Sequence, residues 1–428
     1  MSYNNQFNQN PSESFQVDLF DDYSFDGSKK DEEVLLDPNY DWFFDGANTA
    51  IDKISEYLNN KKFIVIAYSG GKDSSVVLSL ALQAKLLSPN SYPLIILSGD
   101  TGIENPTIHN NLMNNLSAVE AWAQENKVDV RVEISKPTLS DSQMVQIIGG
   151  RSLPTFVDSS NRKCSVDLKV KPGRRHLKMI LSSVKEEFKI KDDIKPIVLV
   201  GTRVSESSSR ANSMEKFGLT DPYVLSDQSE NYVLAPIANW SSNDVWEYLG
   251  TASSNAPRPF KSWLESFETL AKIYRDSAGE CAVVQGDKGP RAACGARHGC
   301  AICTVSGAED KSLKQMLLDE KYEHLKGLNN LRNWFVNSRY RNDLRSTILR
   351  GKNKETGDLQ RGLGTYKAKV REDLLRYALT LDFKEQARAK KFKASVDAGR
   401  PSDTYCDKLA LNFMPRDEVY ISEMVKPQ

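Results

Sequence analysis

Short apolar runs alternate with longer segments of helical periodicity through the first 256 residues. The runs 63–68 and 92–97 are almost continuously apolar, and the amphipathic segments 75–87 and 107–125 follow them. Uninterrupted apolar runs suit strands that are covered on both faces, so the alternation predicts an α/β fold: a parallel sheet with helices on both faces. The pattern also predicts strands at 128–134, 197–200 and 232–236, and helices at 46–58, 173–188 and 242–249.

The character of the chain changes at three places, which predicts four regions. Residues 1–36 are rich in Asn, Ser and Asp and are expected to form an acidic flexible tail. Residues 37–256 carry the α/β alternation. Residues 257–311 are rich in Gly and Cys, and residues 312–428 form a basic region with a helical pattern.

The formal net charge is zero, but the charges are unevenly distributed. Residues 1–45 hold 11 acidic side chains against two lysines, whereas residues 331–400 hold 18 basic against 8 acidic side chains. The basic region therefore suits contact with a polyanion, although a solvated helical surface would look the same in sequence.

The sequence shows no apolar run of membrane-spanning length and no signal peptide at its N-terminus. We therefore expect a cytoplasmic protein with no membrane partner. In a reducing compartment, the six cysteines are interpreted as metal or redox ligands in preference to disulfides.

A small-residue loop joins the first apolar run to the helix that begins near Ser75. Glycines allow a tight turn around a ligand, and the helix N-terminus directs free N–H groups toward an anion. The loop lacks the spacing of a Walker or dinucleotide-binding motif. It resembles the PP-loop of ATP pyrophosphatases, which implies ATP binding, pyrophosphate release and Mg²⁺ at Asp73. The expected nucleotide contacts here are Ser69, Gly70, Gly71, Lys72, Asp73, Ser74 and Ser75.

Four later segments, 98–107, 163–172, 201–210 and 236–246, resemble those of phosphoadenosine-phosphosulfate (PAPS) reductases and occur in the same order. The resemblance implies that Gly201, Arg203 and Arg210 handle phosphate, since arginines can bind phosphate bidentately. Asp100 and Glu104 are expected to position nucleotide or metal, with helix capping before Pro106 as the alternative.

Two departures argue against sulfonucleotide reduction. The chain ends Ile-Ser-Glu-Met-Val-Lys-Pro-Gln, without the Glu-Cys-Gly-Leu-His tail that carries the nucleophilic cysteine of those reductases. A single Cys164 also stands where the iron–sulfur class has paired cysteines. Its basic neighbours favour a thiolate, which makes Cys164 a candidate sulfur carrier; an inert buried cysteine is the alternative.

Four cysteines follow the spacing Cys-x12-Cys-x5-Cys-x2-Cys: Cys281, Cys294, Cys300 and Cys303. Four thiolates complete the shell of a [4Fe–4S] cluster or of a structural zinc ion, and the spacing does not choose between them.

From about Asp45 to about Thr380 the chain resembles the DndC/SspD-type sulfurtransferases of bacterial DNA phosphorothioation, most specifically in residues 294–305. The resemblance implies a [4Fe–4S] cluster, with zinc second, and adenylation of a DNA backbone phosphate by ATP. It also implies a cysteine desulfurase as sulfur donor and further subunits of a modification complex. The expected DNA contacts are Arg339, Tyr340, Arg341, Arg345, Arg350, Lys352, Lys354 and Arg361.

Three other functions share some of these features. They are a PAPS or APS reductase-like enzyme, an RNA thiolase, and a non-catalytic nucleotide sensor. The intact loop at 69–74 argues against the sensor, which would bind ATP without turnover.

Overall fold

The computed structural model describes residues 38–156, 163–228, 230–253, 262–278 and 299–398, with the backbone alone at 38–44, 393 and 396. The predicted acidic tail lies outside the described residues, as do Cys281 and Cys294.

Eight strands and twelve helices are found in the described residues. The strands are β1 (Ile64–Tyr68), β2 (Leu94–Gly99), β3 (Val130–Ser135), β4 (Ile197–Leu199), β5 (Ser226–Asp227), β6 (Tyr232–Leu234), β7 (Ile348–Lys352) and β8 (Leu359–Arg361). The helices are α1 (Pro38–Asn59), α2 (Lys72–Leu87), α3 (Pro106–Glu125), α4 (Gln143–Ile148), α5 (Lys163–Ser165), α6 (Lys171–Glu187), α7 (Ser208–Lys216), α8 (Ser242–Gly250), α9 (Glu268–Ala278), α10 (Lys311–Met316), α11 (Lys326–Asn337) and α12 (Ala368–Asp397). A π-helical turn at Val166–Val170 joins α5 to α6.

The main sheet has six strands in the order β3-β2-β1-β4-β6-β5, and all neighbours are parallel except β5 and β6. This confirms the predicted α/β class. The chain leaves β1 toward β2 and β3 on one side and later continues to β4 and β6 on the other. The order therefore reverses between β1 and β4, and ligands of open α/β sheets bind beyond the carboxyl ends of the strands at such a point.

The apolar runs of the sequence form the centre of this sheet. Ile64, Val65 and Ile66 in β1 are at most 1% exposed. The helix that follows, α2, is buried along most of its length, from Lys72 to Lys85. Burial on both faces explains why β1 shows a continuous apolar run instead of alternation.

A second hydrophobic cluster joins the sheet domain to the C-terminal region. Ile103, which follows β2, packs in one cluster with Ile302, Leu313 and Phe335. The C-terminal region is therefore folded around a residue at the carboxyl edge of the sheet, where ligands are expected.

The C-terminal region is helical in α10, α11 and α12, as predicted, but it also contains the antiparallel hairpin β7–β8. Ile348 pairs with Arg361 and Lys352 with Leu359. Five of the eight residues in the two strands are basic or glycine, or carry polar side chains, so the segment has no apolar alternation to reveal it. None of the helices within the described residues combines the length and apolarity needed to cross a membrane.

Candidate active site

The loop between β1 and α2 is pre-formed by its own side chains. The Ser74 hydroxyl donates to the Gly71 carbonyl at 2.9 Å and accepts from the Ser69 N–H at 3.3 Å. Gly70 has φ +72°, which favours glycine. Gly71 is the N-cap of α2 in extended conformation, without a side-chain cap bond. The first turn of α2 therefore presents N–H groups to an anion, as the sequence predicts.

Gly201 brings a second loop into direct contact with the first. A Cβ atom at this position would lie 2.7 Å from the Asp73 carbonyl carbon and 2.8 Å from the Ser74 nitrogen. These are backbone atoms in a helix turn and cannot give way cheaply. Only glycine fits here, and its close approach places the segment after β4 against the loop between β1 and α2.

Arg203, Asp73 and Lys72 form a charged cluster at this junction. Oδ1 of Asp73 lies 2.6 Å from Nε of Arg203 and 2.9 Å from Nζ of Lys72. Arg203 is 4% exposed and Lys72 is 9% exposed. Burial lowers the pKa of Lys72, with Asp73 opposing the shift. Two cations that share one carboxylate leave a local positive charge, which suits a polyphosphate.

Arg210 is not part of this cluster. It lies on α7, where its Nε is 3.0 Å from Oε2 of Glu206, and its side chain is 49% exposed. The sequence placed Arg203 and Arg210 in one phosphate-handling loop. The structure brings Arg203 to the loop and pairs Arg210 with Glu206 at the surface.

Tyr274 of α9 was not detected in the sequence. Its hydroxyl hydrogen-bonds to the Lys72 backbone N–H and would lie 3.2 Å from a Cβ at position 71. Burial raises the pKa of Tyr274 to about 12, with Asp73 contributing. Its ring packs edge-on against Trp246. Tyr274 thus covers the helix N-terminus at which an anion is expected, and no motif in the sequence indicates it.

Asp100 and Glu104 follow β2 at the same edge of the sheet. Glu104 accepts from the Thr101 N–H at 3.0 Å, and Asp100 lies 3.1 Å from Nζ of Lys136. The N-cap of α3 is instead Asn105, whose side chain accepts from the Thr107 N–H, so the capping alternative does not apply to the two acids. With His109, they place three potential ligand atoms within 4.8 Å of one another. Two carboxylates and an imidazole suit a divalent cation.

The described part of the cysteine segment pairs with the loop that follows β2. Cys300 and Glu104 form an isolated antiparallel bridge, and the Ala301 N–H donates to the Ile103 carbonyl at 2.8 Å. The Thr101 side chain hydrogen-bonds to Cys300, whose pKa is raised to about 12 by burial and next by Glu104. The segment therefore lies at the same strand edge as the loop between β1 and α2.

Arg332 holds the loop on the C-terminal side of Cys303. This side chain is fully buried; its Nε donates to the Cys303 carbonyl at 3.0 Å, and an Nη donates to the Ala308 carbonyl at 2.7 Å. The second Nη donates hydrogen bonds to the Ser306 hydroxyl and to the Gly307 carbonyl. A buried guanidinium beside Cys303 fits a thiolate-ligated centre, because it offsets negative charge. In sequence Arg332 is one of many basic residues, so its role was not apparent.

The wider ligand set of the metal centre stays a prediction. Cys300 and Cys303 are both half-buried, and the Cys303 N–H donates to the Cys300 carbonyl at 3.0 Å. This geometry fits a Cys-x2-Cys pair of a [4Fe–4S] or zinc site. Cys281 and Cys294 lie outside the described residues.

Cys164 lies in α5, which the π-helical turn at Val166–Val170 joins to α6. It is half-buried and packs against the hydrophobic cluster that also receives Cys300. Lys163 was expected to favour the thiolate of Cys164, but it forms an ion pair with Asp167 instead. The structure thus brings Cys164 toward the cysteine segment, while its proposed carrier role stays a prediction.

Residues 63–257 match the family model of the phosphoadenosine phosphosulfate reductase domain. This part, which is less than half of the chain, is similar to the PAPS reductase domain. The match covers the six-stranded sheet together with the loops that carry Lys72, Asp73 and Arg203.

Several solved structures resemble parts of this chain. The U34-tRNA thiolase NcsA from Methanococcus maripaludis, with its [4Fe–4S] cluster, is 17% identical with a TM-score of 0.30; the similarity covers 55% of this chain and 73% of the thiolase. The PAPS reductase from Candida auris is 15% identical, with a TM-score of 0.29 over 52% and 88% of the two chains. The FMN adenylyltransferase from Candida glabrata is 15% identical, with a TM-score of 0.28 over 58% and 65%. These scores are too low to bear on function. No curated protein matches the chain.

Proposed function

We propose that this protein is an ATP-dependent sulfurtransferase that inserts sulfur into the DNA phosphate backbone. The observation that supports it best is the pairing of the cysteine segment with the strand edge that carries the phosphate-binding loop. Cys300 bridges to Glu104 after β2, while Lys72 and Arg203 lie after β1 and β4 in the same sheet. A nucleotide site and a sulfur-handling segment at one edge suit a reaction that needs both.

The first proposed step activates a backbone phosphate. A nonbridging phosphate oxygen attacks the α-phosphorus of ATP, the bond from that phosphorus to the bridging oxygen of the β-phosphate breaks, and pyrophosphate leaves. The α2 N–H groups, Lys72 and Arg203 neutralise the charge that the departing pyrophosphate gains, as expected for phosphoryl and nucleotidyl transfer. Asp73 orients both cations and is the proposed contact of Mg²⁺.

The second proposed step replaces AMP by sulfur. The terminal sulfur of a persulfide on Cys164 attacks the activated phosphorus, and AMP leaves with the bonding electrons. An external thiol then cleaves the sulfur–sulfur bond, which leaves sulfur on phosphorus and a disulfide on the thiols. A cysteine desulfurase is the proposed source of the persulfide, and partner subunits are proposed to select the site.

The proposed [4Fe–4S] cluster, with zinc as the second choice, would be held by Cys281, Cys294, Cys300 and Cys303, and when bound it would supply sulfur chemistry or anchor the segment. Arg332 would fix the loop after Cys303 and balance thiolate charge.

Sulfonucleotide reduction is the second candidate, because the matching family model is that of PAPS reductases. An RNA thiolase remains a further alternative with the same loop chemistry.

The test measures pyrophosphate release from ATP by the full chain with its metal centre, in the presence of DNA, RNA or PAPS. DNA-dependent release, together with phosphorothioate-linked dinucleotides in digested DNA when desulfurase and cysteine are added, would support the proposal. The Lys72→Ala variant is expected to lose release, and the surface variant Lys61→Ala to retain it. Sulfite formation from PAPS would support the reductase instead, and release stimulated by RNA alone would support the thiolase.

A further inference from the structure

A basic groove runs along the first half of α6, on a part of the molecule that the sequence did not assign to any ligand. Its volume is about 710 Å³, and its lining residues are Lys171, Arg174, Arg175, Lys178, Met179 and Ser182. We propose that this α6 groove binds the nucleic-acid phosphate backbone and leads it to the active edge of the sheet. The active edge is the side at the carboxyl ends of β1, β2 and β4, where the proposed site lies. The inference rests on the proposed function and names its substrate-binding surface.

The four basic residues of the groove share one face of the helix. Lys171, Arg174, Arg175 and Lys178 stand at i, i+3, i+4 and i+7, which is the spacing of neighbours on a helix surface. The other face is apolar: Ile180 and Val184 of the same helix pack with Phe63, Val65 and Ile95. The helix is thereby fixed on the sheet with its basic face turned outward.

The groove begins at the active edge. An Nη of Arg175 donates to the Lys136 carbonyl at 2.9 Å, and Lys136 directly follows β3. Nζ of Lys136 lies 3.1 Å from Oδ2 of Asp100, which follows β2. Cys164, the proposed sulfur carrier, precedes α6 by a single π-helical turn. A nucleic-acid strand bound along α6 would therefore end beside the residues that are proposed to act on it.

The charges of the groove are available to an incoming polyanion. Arg174 and Lys178 lie 3.7 and 3.1 Å from Glu230, and the side chains of both cations are at least 67% exposed. Nζ of Lys171 lies 2.6 Å from Asp167 and is also largely exposed. Exposed ion pairs of this kind are weak because water screens them, so phosphates can compete with the two carboxylates.

The dimensions suit a nucleic-acid strand. Lys171 and Lys178 are separated by seven residues, or roughly 10 Å along the helix axis. At roughly 3.4 Å of axial rise per phosphate in one strand of a duplex, this length spans about three phosphate-to-phosphate intervals. Met179, 61% exposed at the groove, offers an apolar surface between the charges.

Among the predicted C-terminal contacts, Arg345 does not face a ligand. Arg345 is 8% exposed and donates to the Gly364 and Leu363 carbonyls, so it supports the chain fold instead of facing a ligand. Arg341 is paired with Asp343. Arg350 and Lys352 remain exposed on the β7–β8 hairpin and form the competing surface in the test.

The test compares binding of a fluorescent single-stranded DNA oligonucleotide by the full chain and by the double variant Arg174→Gln/Lys178→Gln, at several salt concentrations. We expect at least a tenfold weaker Kd and a slope of log K against log salt reduced by roughly 1.4, at about 0.7 for each lost contact. The matched control is Lys189→Gln/Lys191→Gln, which removes two charges just beyond the other end of α6 and is expected to bind like the wild type.

Magnesium-ATP binding and thermal unfolding confirm that each variant is folded, and both are expected to match the wild type. Wild-type affinity and slope in the α6 variant would overturn the inference, as would a loss confined to Arg350→Gln/Lys352→Gln. If the wild type binds an RNA oligonucleotide and not DNA, and the α6 variant loses that binding, the groove stands and the proposed DNA function fails. Failure of the wild type to bind either nucleic acid would overturn both.

Discussion

Arg203 donates from Nε to Oδ1 of Asp73 at 2.6 Å, although 130 residues separate the two in the chain. The contact joins the loops that follow β1 and β4, which are adjacent strands of the sheet. An Nη of Arg203 also donates to the Ser205 hydroxyl at 2.8 Å, so the guanidinium is held from two sides. This buried pair is the centre of the proposed nucleotide site.

Arg203 and Arg210 are expected to differ strongly in their importance for ATP. The Arg203→Ala change removes a buried cation and leaves Asp73 with Lys72 alone, so we predict at least a tenfold loss in DNA-dependent pyrophosphate release. Arg210→Ala removes an exposed partner of Glu206 and is predicted to cost less than about threefold. Steady-state kinetics of the two variants decide this, and equal losses would contradict the assignment.

The Gly201→Ala variant tests the close approach of the two loops. The added Cβ would lie under 3 Å from three backbone atoms of Asp73 and Ser74. We predict a destabilisation of about 1–3 kcal/mol, the usual range for an overpacked site, with weaker magnesium-ATP binding. Thermal unfolding and titration calorimetry measure both. Gly173→Ala is the control, since nothing lies within 4 Å of a Cβ there.

The Tyr274→Phe change is predicted to tighten binding of inorganic pyrophosphate. The Tyr274 hydroxyl accepts a hydrogen bond from the Lys72 N–H. An anion at the helix N-terminus would accept from the same N–H. Removing a competing hydrogen bond of about 0.5–1.5 kcal/mol should improve Kd by roughly two- to tenfold in calorimetry. A weaker Kd would show that the hydroxyl contacts the ligand, and Tyr377→Phe serves as a remote control.

His324 is predicted to make stability depend on pH. Its Nε2 accepts from the Thr107 hydroxyl at 3.0 Å and its Nδ1 donates to the Lys321 carbonyl at 3.2 Å, an arrangement of the neutral ring. Burial lowers the pKa of His324 to about 3, with Arg388 contributing. The unfolded chain therefore binds the extra proton between about pH 6.5 and 3, so this contribution is complete above pH 6.5 and is lost as pH falls, by at most about 1.4 kcal/mol for each unit.

Urea unfolding at pH 7.5 and pH 5.0 measures that contribution. The His324→Gln variant should be less stable at pH 7.5 and should lose less stability than the wild type on acidification. An identical decrease in the variant and the wild type would show that other groups cause the pH dependence.

The cysteines are predicted to separate into two roles. Cys300→Ser and Cys303→Ser should lose bound iron and sulfide, because each removes a proposed thiolate ligand. Cys164→Ser should retain the metal and lose sulfur insertion. Iron, zinc and sulfide assays on anaerobically purified protein make the measurement. Loss of metal from Cys164→Ser would make that residue a ligand, and zinc without iron in the wild type would make the centre structural.

Much of the fold could be read from local signals. The continuous apolar run before Ser69, the small-residue loop and the apolar helix after it specify a buried strand, a turn and a helix without help from the rest of the chain. Helix starts such as that of α8 are also local, since Ser241 and Asp244 form a capping box. The hairpin β7–β8 was missed because its largely exposed strands carry no apolar alternation.

The sequence by itself determined the sheet class, the small-residue loop at 69–74 between β1 and α2, and the short spacing of Cys300 and Cys303, because each depends on neighbouring residues. Only the tertiary structure separated Arg203 from Arg210, placed Tyr274 over the loop, buried Arg332 beside Cys303 and left the basic face of α6 exposed. These relationships join segments far apart in the chain, and strand order and helix packing, which decide such contacts, are not encoded in any local pattern.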